Sequence, residues 1–121
     1  MKQFGFSRQE HLKRSSEIQT VFKKGRKITC NGAKLFVFPN GREINRIVFT
    51  FPRKYGNAVE RNRSRRLSRE VFRLVKNRMK TGFDLVLLVF PGKDRFCDRM
   101  MQVGLLLKKS GLWNSDSVLK K

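Results

Sequence analysis

Lys54 to Glu70 reads KYGNAVERNRSRRLSRE, five arginines and a lysine among seventeen residues, against two glutamates. A guanidinium is a planar fork of donors that matches phosphate oxygens two at a time, and it stays charged at physiological pH. Arg61, Arg65, Arg69 and Arg73 step by four along one side of a helix, drifting about 40° per step. Asn62 and Arg66 fall in the same sector. A merely solvated helix face tends to alternate sign at i,i+4, each pair stabilising by about 0.2–0.5 kcal/mol. Here those neighbours are Arg–Arg, and several stand in the first turns, where the macrodipole already presents its positive end. Both effects have the wrong sign for an isolated domain, and one bound anion relieves both. The chemistry these residues predict is phosphate binding, assisted by free N–H groups at the helix start.

The helix that must present them is expected from Ala58 to Lys80, ended by Thr81-Gly82. Asn57 is its expected N-cap, with Glu60 placed to answer the cap. Leu67, Val71, Leu74 and Val75 form its core stripe, and Arg63, at the edge of that stripe, is the arginine expected to have a structural role. Before it, SEIQTVFKKG predicts a short helix capped by Ser16 and Gln19 and closed by Gly25, with Ile18, Val21 and Phe22 on one face. AKLFVFPN (33–40) and RIVFTFP (46–52) read as strands with Asn40-Gly41 as a turn between them, and Arg26–Cys30 as an added edge strand. Leu35 and Val37 point one way, Phe36 and Phe38 the other. Both faces are therefore covered, or one awaits a partner. DLVLLVF (84–90) is a buried strand stopped by Pro91-Gly92. A last helix runs from Phe96 to Ser110, with Met100, Val103 and Leu107 on one stripe and Gly111 as its stop. The order is αβββαβα, an α+β sandwich of helices on a mixed sheet whose first strands form hairpins.

Length and charge bound the function. The 121 residues make one domain, 1–121, with 1–14 expected as an extended arm and 113–121 as a frayed tail. Lys and Arg number 29 against 9 Asp and Glu, a formal charge of +20 that self-repels and calls for a polyanion, nucleic acid before membrane. Eleven phenylalanines exclude a disordered basic tail. No apolar run approaches the ~20 residues of a membrane span, and MKQFGFSRQEH lacks a signal-peptide core, so the expectation is a cytoplasmic protein. Cys30 and Cys97 have no metal spacing and are expected as reduced thiols in or near the core. No catalytic constellation and no metal site emerge. His11 sits in the expected arm, and Asp84 is a lone acid where a two-metal nuclease site needs several. For Phe36, Phe38, Phe49 and Phe51, core packing and base stacking both stay open.

The run GNAVERNRSRRLSRE closely resembles the signature of the bacterial ribonuclease P protein subunit, G-N-A-V-x-R-N-x-x-K-R-x-x-R-E, through Gly56, Asn57, Ala58, Val59, Arg61, Asn62, Arg66, Arg69 and Glu70. VFKKG before the sheet, the basic pair Arg53-Lys54 and FDLVLLV agree with it, and the resemblance spans roughly residues 12–112. It implies a two-layer αβββαβα sandwich with a left-handed crossover between strand, long helix and next strand, against the general rule. It also implies a partner, a catalytic RNA that uses Mg2+ to hydrolyse the phosphodiester at the 5′ end of precursor transfer RNA, while the protein carries out no bond chemistry and holds no cofactor of its own. Carried over by position, Arg61, Asn62, Arg65, Arg66 and Arg69 face that RNA, with Arg63, Arg53 and Lys54 beside them. Ile18, Phe22 and Phe36 line a cleft for the single-stranded 5′ leader. The chain departs from the pattern at Ile18, where an aromatic is frequent, at Phe36, which can be Tyr, at Arg65, usually Lys, and at Ser64 and Ser68, often apolar. Two other functions compete: a general RNA-binding or ribosome-associated protein, and a self-contained nuclease. RNA dependence of cleavage separates them.

Overall fold

The computed structural model describes residues 10–92 and 95–113. DLVLLVF, the most apolar strand segment, takes the centre of a four-stranded mixed sheet, because a strand paired on both edges and covered on both faces must be apolar throughout. This strand, β4 (Phe83–Val89), has Leu85, Val86, Leu87 and Val89 fully buried. β2 (Ala33–Pro39) pairs with it antiparallel, Leu35 opposite Leu87, and β3 (Arg46–Thr50) pairs parallel on the other side, Phe49 opposite Leu87. β1 (Arg26–Cys30) pairs antiparallel with β2 and completes the order β1-β2-β4-β3.

That order corrects the expected hairpin between β2 and β3. Among the described residues the one hairpin is β1–β2, turned at Asn31-Gly32, where Gly32 has φ +92°. Asn40-Gly41 instead begins a crossing loop. The Asn40 side chain accepts from the Arg42 N–H at 2.8 Å and donates to Ile44 O at 3.2 Å, while Asn45 accepts from the Phe83 N–H at 2.9 Å. The loop is thereby bonded to the entrance of β4, the strand that slips between its two flanking strands.

Helix α2 (Ala58–Val75) and helix α3 (Phe96–Ser110) cover one sheet face. Leu35, Val37, Ile47, Phe49, Leu85 and Leu87 point into this main core. Helix α1 (Ser15–Lys24) covers part of the other face, over Phe36 and Val86. Phe36 and Phe38 do turn away from Leu35 and Val37, as the strand alternation requires. α1 starts two residues earlier than a Ser16 cap allows, with Arg14 as N-cap and no side-chain bond there. Gly25 closes it as expected. Its N–H reaches Val21 O at 2.9 Å, and an added Cβ would stand 2.6 Å from that oxygen and 2.9 Å from Val37 O.

α2 is shorter than Ala58–Lys80. It ends at Val75 and passes into a 3-10 turn, Lys76–Arg78, after which Met79 bridges Trp113 and the Lys80 N–H donates to Leu112 O at 2.8 Å. Pairing with the chain beyond α3 holds this stretch extended. α3 has the predicted bounds, and Gly111 stops it in the left-handed region at φ +82°. The expected arm is only partly an arm. Residues 1–9 lie outside the described residues, but His11 bridges Ile47 at the β3 edge, Leu12 is buried, and Glu10 pairs with Lys76 at 3.2 Å. The expected frayed tail, 113–121, is corrected at Trp113, which bridges Met79 and donates its N–H to Leu107 O at 3.2 Å, and from 114 onward it lies outside the described residues.

Candidate nucleic-acid interface

The start of α2 is built by three residues. The Asn57 N–H donates to Glu60 Oε1 at 3.1 Å and the Glu60 N–H donates to Asn57 Oδ1 at 2.9 Å, a complete capping box. Gly56 makes room for it: at φ +152°, a Cβ there would sit 2.1 Å from Glu60 Oε1. This corrects part of the expected phosphate site. The Glu60 N–H is already bonded and a carboxylate sits at the helix start, so anion affinity here falls to the guanidinium groups.

Those groups are arranged rather than loose. Arg61 donates to Gly56 O at 2.7 Å. Arg65 donates to Asn62 Oδ1 at 2.7 Å, and its guanidinium carbon stands 5.3 Å from the Phe51 ring centre, within cation–π range. Phe51 in turn meets Tyr55 edge-on, centroids 4.9 Å apart, and Tyr55 is buried. Asn62, Arg63, Arg66 and Arg69 are exposed on α2, and Arg53 and Lys54 are exposed in the turn leading to it. Arg73, the fourth of the row, is bonded to Glu70, which holds that carboxyl below its ordinary range. Both glutamates of the helix are thus committed, Glu60 to the cap and Glu70 to Arg73. Arg61, Arg65 and Arg69 have no carboxylate among the described ion pairs.

The inner face of α2 departs from the expected stripe. Ser64, Ser68, Val71, Phe72 and Val75 are buried, whereas Leu67 is half-buried and Leu74 is 46% exposed. The stripe is rotated toward the serines, because a buried arginine reaches them from the neighbouring helix. Arg99 on α3 is 0% exposed and donates to Ser68 Oγ at 2.7 Å and Ser64 Oγ at 3.2 Å. Arg63, expected at the core edge, points to solvent instead. The sequence did signal Arg99, one turn before Val103 on a face that otherwise reads as core.

On the opposite sheet face Ile18, Phe22 and Phe36 do come together. Phe22 meets Phe36 edge-on with centroids 4.8 Å apart, and Ile18, Phe38, Val48 and Leu88 surround them, half-buried. Phe36 is 9% exposed, so Phe22 and Ile18 offer the more accessible surface. Lys34 adds a cation beside it, 5.6 Å from the Phe90 ring centre.

Asp84 is no free acid. Arg46 grips it with two bonds, 2.8 and 2.7 Å, Asn40 donates to it at 2.9 Å, and Arg46 also reaches Glu17 of α1 at 3.3 Å. Among the described residues no three His, Cys, Asp or Glu side chains gather as metal ligands. Cys97 is exposed rather than near the core, while Cys30 is half-buried and burial pushes its thiol up. His11 faces the basic helix. Burial lowers its pKa first, and Arg69 and Lys13 lower it further against a smaller opposing effect of Glu10.

A family model described as Ribonuclease P matches residues 6–108. The ribonuclease P protein component of Natranaerobius thermophilus is 43% identical over 77 residues, 64% of this chain and 67% of the relative. That of Clostridium kluyveri is 33% identical over 106 residues, 84% and 95% of the two chains. Among solved structures, the RNase P protein from Thermotoga maritima superimposes with a TM-score of 0.73 at 28% identity, over 83% of this chain and 96% of its own. The Staphylococcus aureus RNase P protein gives 0.78 at 21% identity over 87% and 98%, a likeness of fold.

Proposed function

Since this chain belongs to the ribonuclease P protein component family, we propose that it is the protein subunit of a ribonucleoprotein that removes the 5′ leader from precursor transfer RNA. One observation carries the reading furthest. Arg61, Arg65 and Arg69 stand along α2 while both of the helix's glutamates are engaged elsewhere. Such a row, on a chain of charge +20, fits the phosphodiester backbone of a large folded RNA. Asn62, Arg63, Arg66, Arg53 and Lys54 extend the same surface.

The half-covered apolar patch of Ile18, Phe22 and Phe36 suits an unpaired strand, whose bases can lie against Phe22 while Lys34 meets the backbone. In this reading α1 and the sheet take the leader and α2 takes the catalytic RNA. The hydrolysis, and the Mg2+ it uses, belong to the RNA. The protein lowers the phosphate repulsion between that RNA and its substrate. Commitment of Asp84 to Arg46 and Asn40 supports this division, because the most buried carboxylate among the described residues serves packing.

The test is cleavage of precursor transfer RNA with and without the cognate RNA subunit. The protein alone is expected to cut nothing, and with the RNA it is expected to raise cleavage most at low magnesium, where repulsion is least screened. Cleavage by protein alone, or no change in the RNA's rate, rejects the proposal.

A further inference from the structure

α2 is held to the body of the protein in two different ways along its length. Its C-terminal half is anchored by buried Val71, Phe72 and Val75. Between Ala58 and Glu70, where Arg61, Arg65 and Arg69 stand, no apolar side chain of the helix is buried. The buried residues there are Ser64 and Ser68, both 0% exposed. Val59 is 64% exposed and Leu67 half-buried, so hydrophobic contact does little to fix this half. What meets the two serines is the Arg99 guanidinium. Its Nη1 donates to Ser68 Oγ at 2.7 Å, to Ser64 Oγ at 3.2 Å and to Ser64 O at 3.4 Å, while its Nε donates to Gln102 Oε1 at 3.0 Å. Gln102 Nε2 then donates to Asn31 O at 3.1 Å, in the turn of the β1–β2 hairpin.

We propose that Arg99 is a positioning residue for the RNA-binding face, a buried polar lock that sets the rotation and height of the arginine-bearing half of α2. The proposal rests on the RNA-facing role given to that half. Apolar contact tolerates sliding, whereas hydrogen bonds from one rigid fork to two hydroxyls a turn apart fit a single setting of the helix. Ser64 and Ser68 immediately precede Arg65 and Arg69 in the chain, so a rotation released at the serines is passed directly to the arginines. A row of guanidinium groups meets successive phosphates only while the row keeps its angle to the RNA. Losing that angle removes contacts together rather than singly. The hairpin turn, fixed through Gln102, serves as the far anchor.

The test is binding of the cognate ribonuclease P RNA by the full chain across a salt series. Arg99→Met is expected to weaken binding by about tenfold or more and to flatten the log–log salt slope by at least one phosphate contact, about 1 unit. Loss of folded protein alone lowers the active fraction and leaves the slope of the remainder unchanged. An unchanged slope therefore makes Arg99 a packing residue only and overturns the proposal. Ser68→Ala removes the shortest bond with a good helix former and is expected to flatten the slope in the same direction, by less. If Arg99→Met does not fold, a wild-type slope in Ser68→Ala overturns the proposal by itself. Arg65→Ala separates the two claims. In the wild-type background it is expected to flatten the slope by about 1, and in the Arg99→Met background by clearly less. Full additivity contradicts the lock, whereas no effect of Arg65→Ala in the wild type removes the RNA-facing role instead.

Discussion

Arg65 is a surface charge whose side chain is held in place by its neighbours. Its guanidinium rests over Phe51 and bonds Asn62, so fewer rotamers remain to be lost on binding than for a free surface arginine. Arg65→Ala is expected to reduce the salt slope of RNA binding by about 1, because one phosphate contact disappears. An unchanged slope takes Arg65 out of the interface. Asp84 is the structural counterpart. Arg46 and Asp84 are 14% and 7% exposed, and removing the carboxylate takes both short bonds from a nearly buried guanidinium and leaves it the 3.3 Å contact with Glu17. Asp84→Ala is expected to cost about 3–5 kcal/mol in urea unfolding; a loss below about 1 kcal/mol contradicts a buried pair. His11 makes a pH prediction. Its folded-state pKa lies below the ordinary value of about 6.5, so the unfolded chain binds the proton more readily. Stability is then full above that ordinary value and declines as pH falls through the window beneath it. His11→Gln is expected to remove that part of the acid sensitivity seen in thermal melts between about pH 7 and pH 5. An acid profile identical to wild type contradicts it.

At the scale of elements, signals carried within one segment were legible and those set by a distant segment were not. α3 runs from Phe96 to Ser110 with Gly111 as its stop, because a glycine in the left-handed region is a local necessity. The Asn57–Glu60 box was equally readable, being closed within three residues. Asn57→Ala is expected to cost about 1 kcal/mol, read from denaturant midpoints, and a neutral result removes the cap's role. The Asn40-Gly41 signal misled because nothing in those residues tells that β4, some forty positions on, enters between β2 and β3. The phase of α2 differs from its expected stripe for a similar reason. Periodicity ranks Leu74 above a serine as core, but Arg99 from another helix makes the serine side the buried one. Of the apolar face, it is the family resemblance, not periodicity, that groups Ile18, Phe22 and Phe36, and the fold brings the three side chains into one cluster. Phe22→Ala is expected to weaken precursor carrying a leader by about 1–3 kcal/mol while sparing mature transfer RNA. Equal losses on both assign Phe22 to packing alone.

For the molecule as a whole, charge sets the terms. With +20 over 121 residues, folding brings like charges together, and any polyanion that binds only the folded state adds stability by mass action. The opposed surfaces, arginines on α2 and aromatics under α1, lie on the two sides of one sheet, and the proposed function gives each surface its own RNA segment. Whether α2 meets a phosphate backbone therefore decides the proposed function. The direct measurement is the salt dependence of binding to the cognate ribonuclease P RNA for the wild type and for a variant with Arg61, Arg65 and Arg69 all changed to Gln. The predicted result is a slope flatter by about 3 units in the variant, with tight wild-type binding that a polylysine of equal charge does not match. Equal slopes for the two proteins, or polylysine binding as tightly as the wild type, would contradict it.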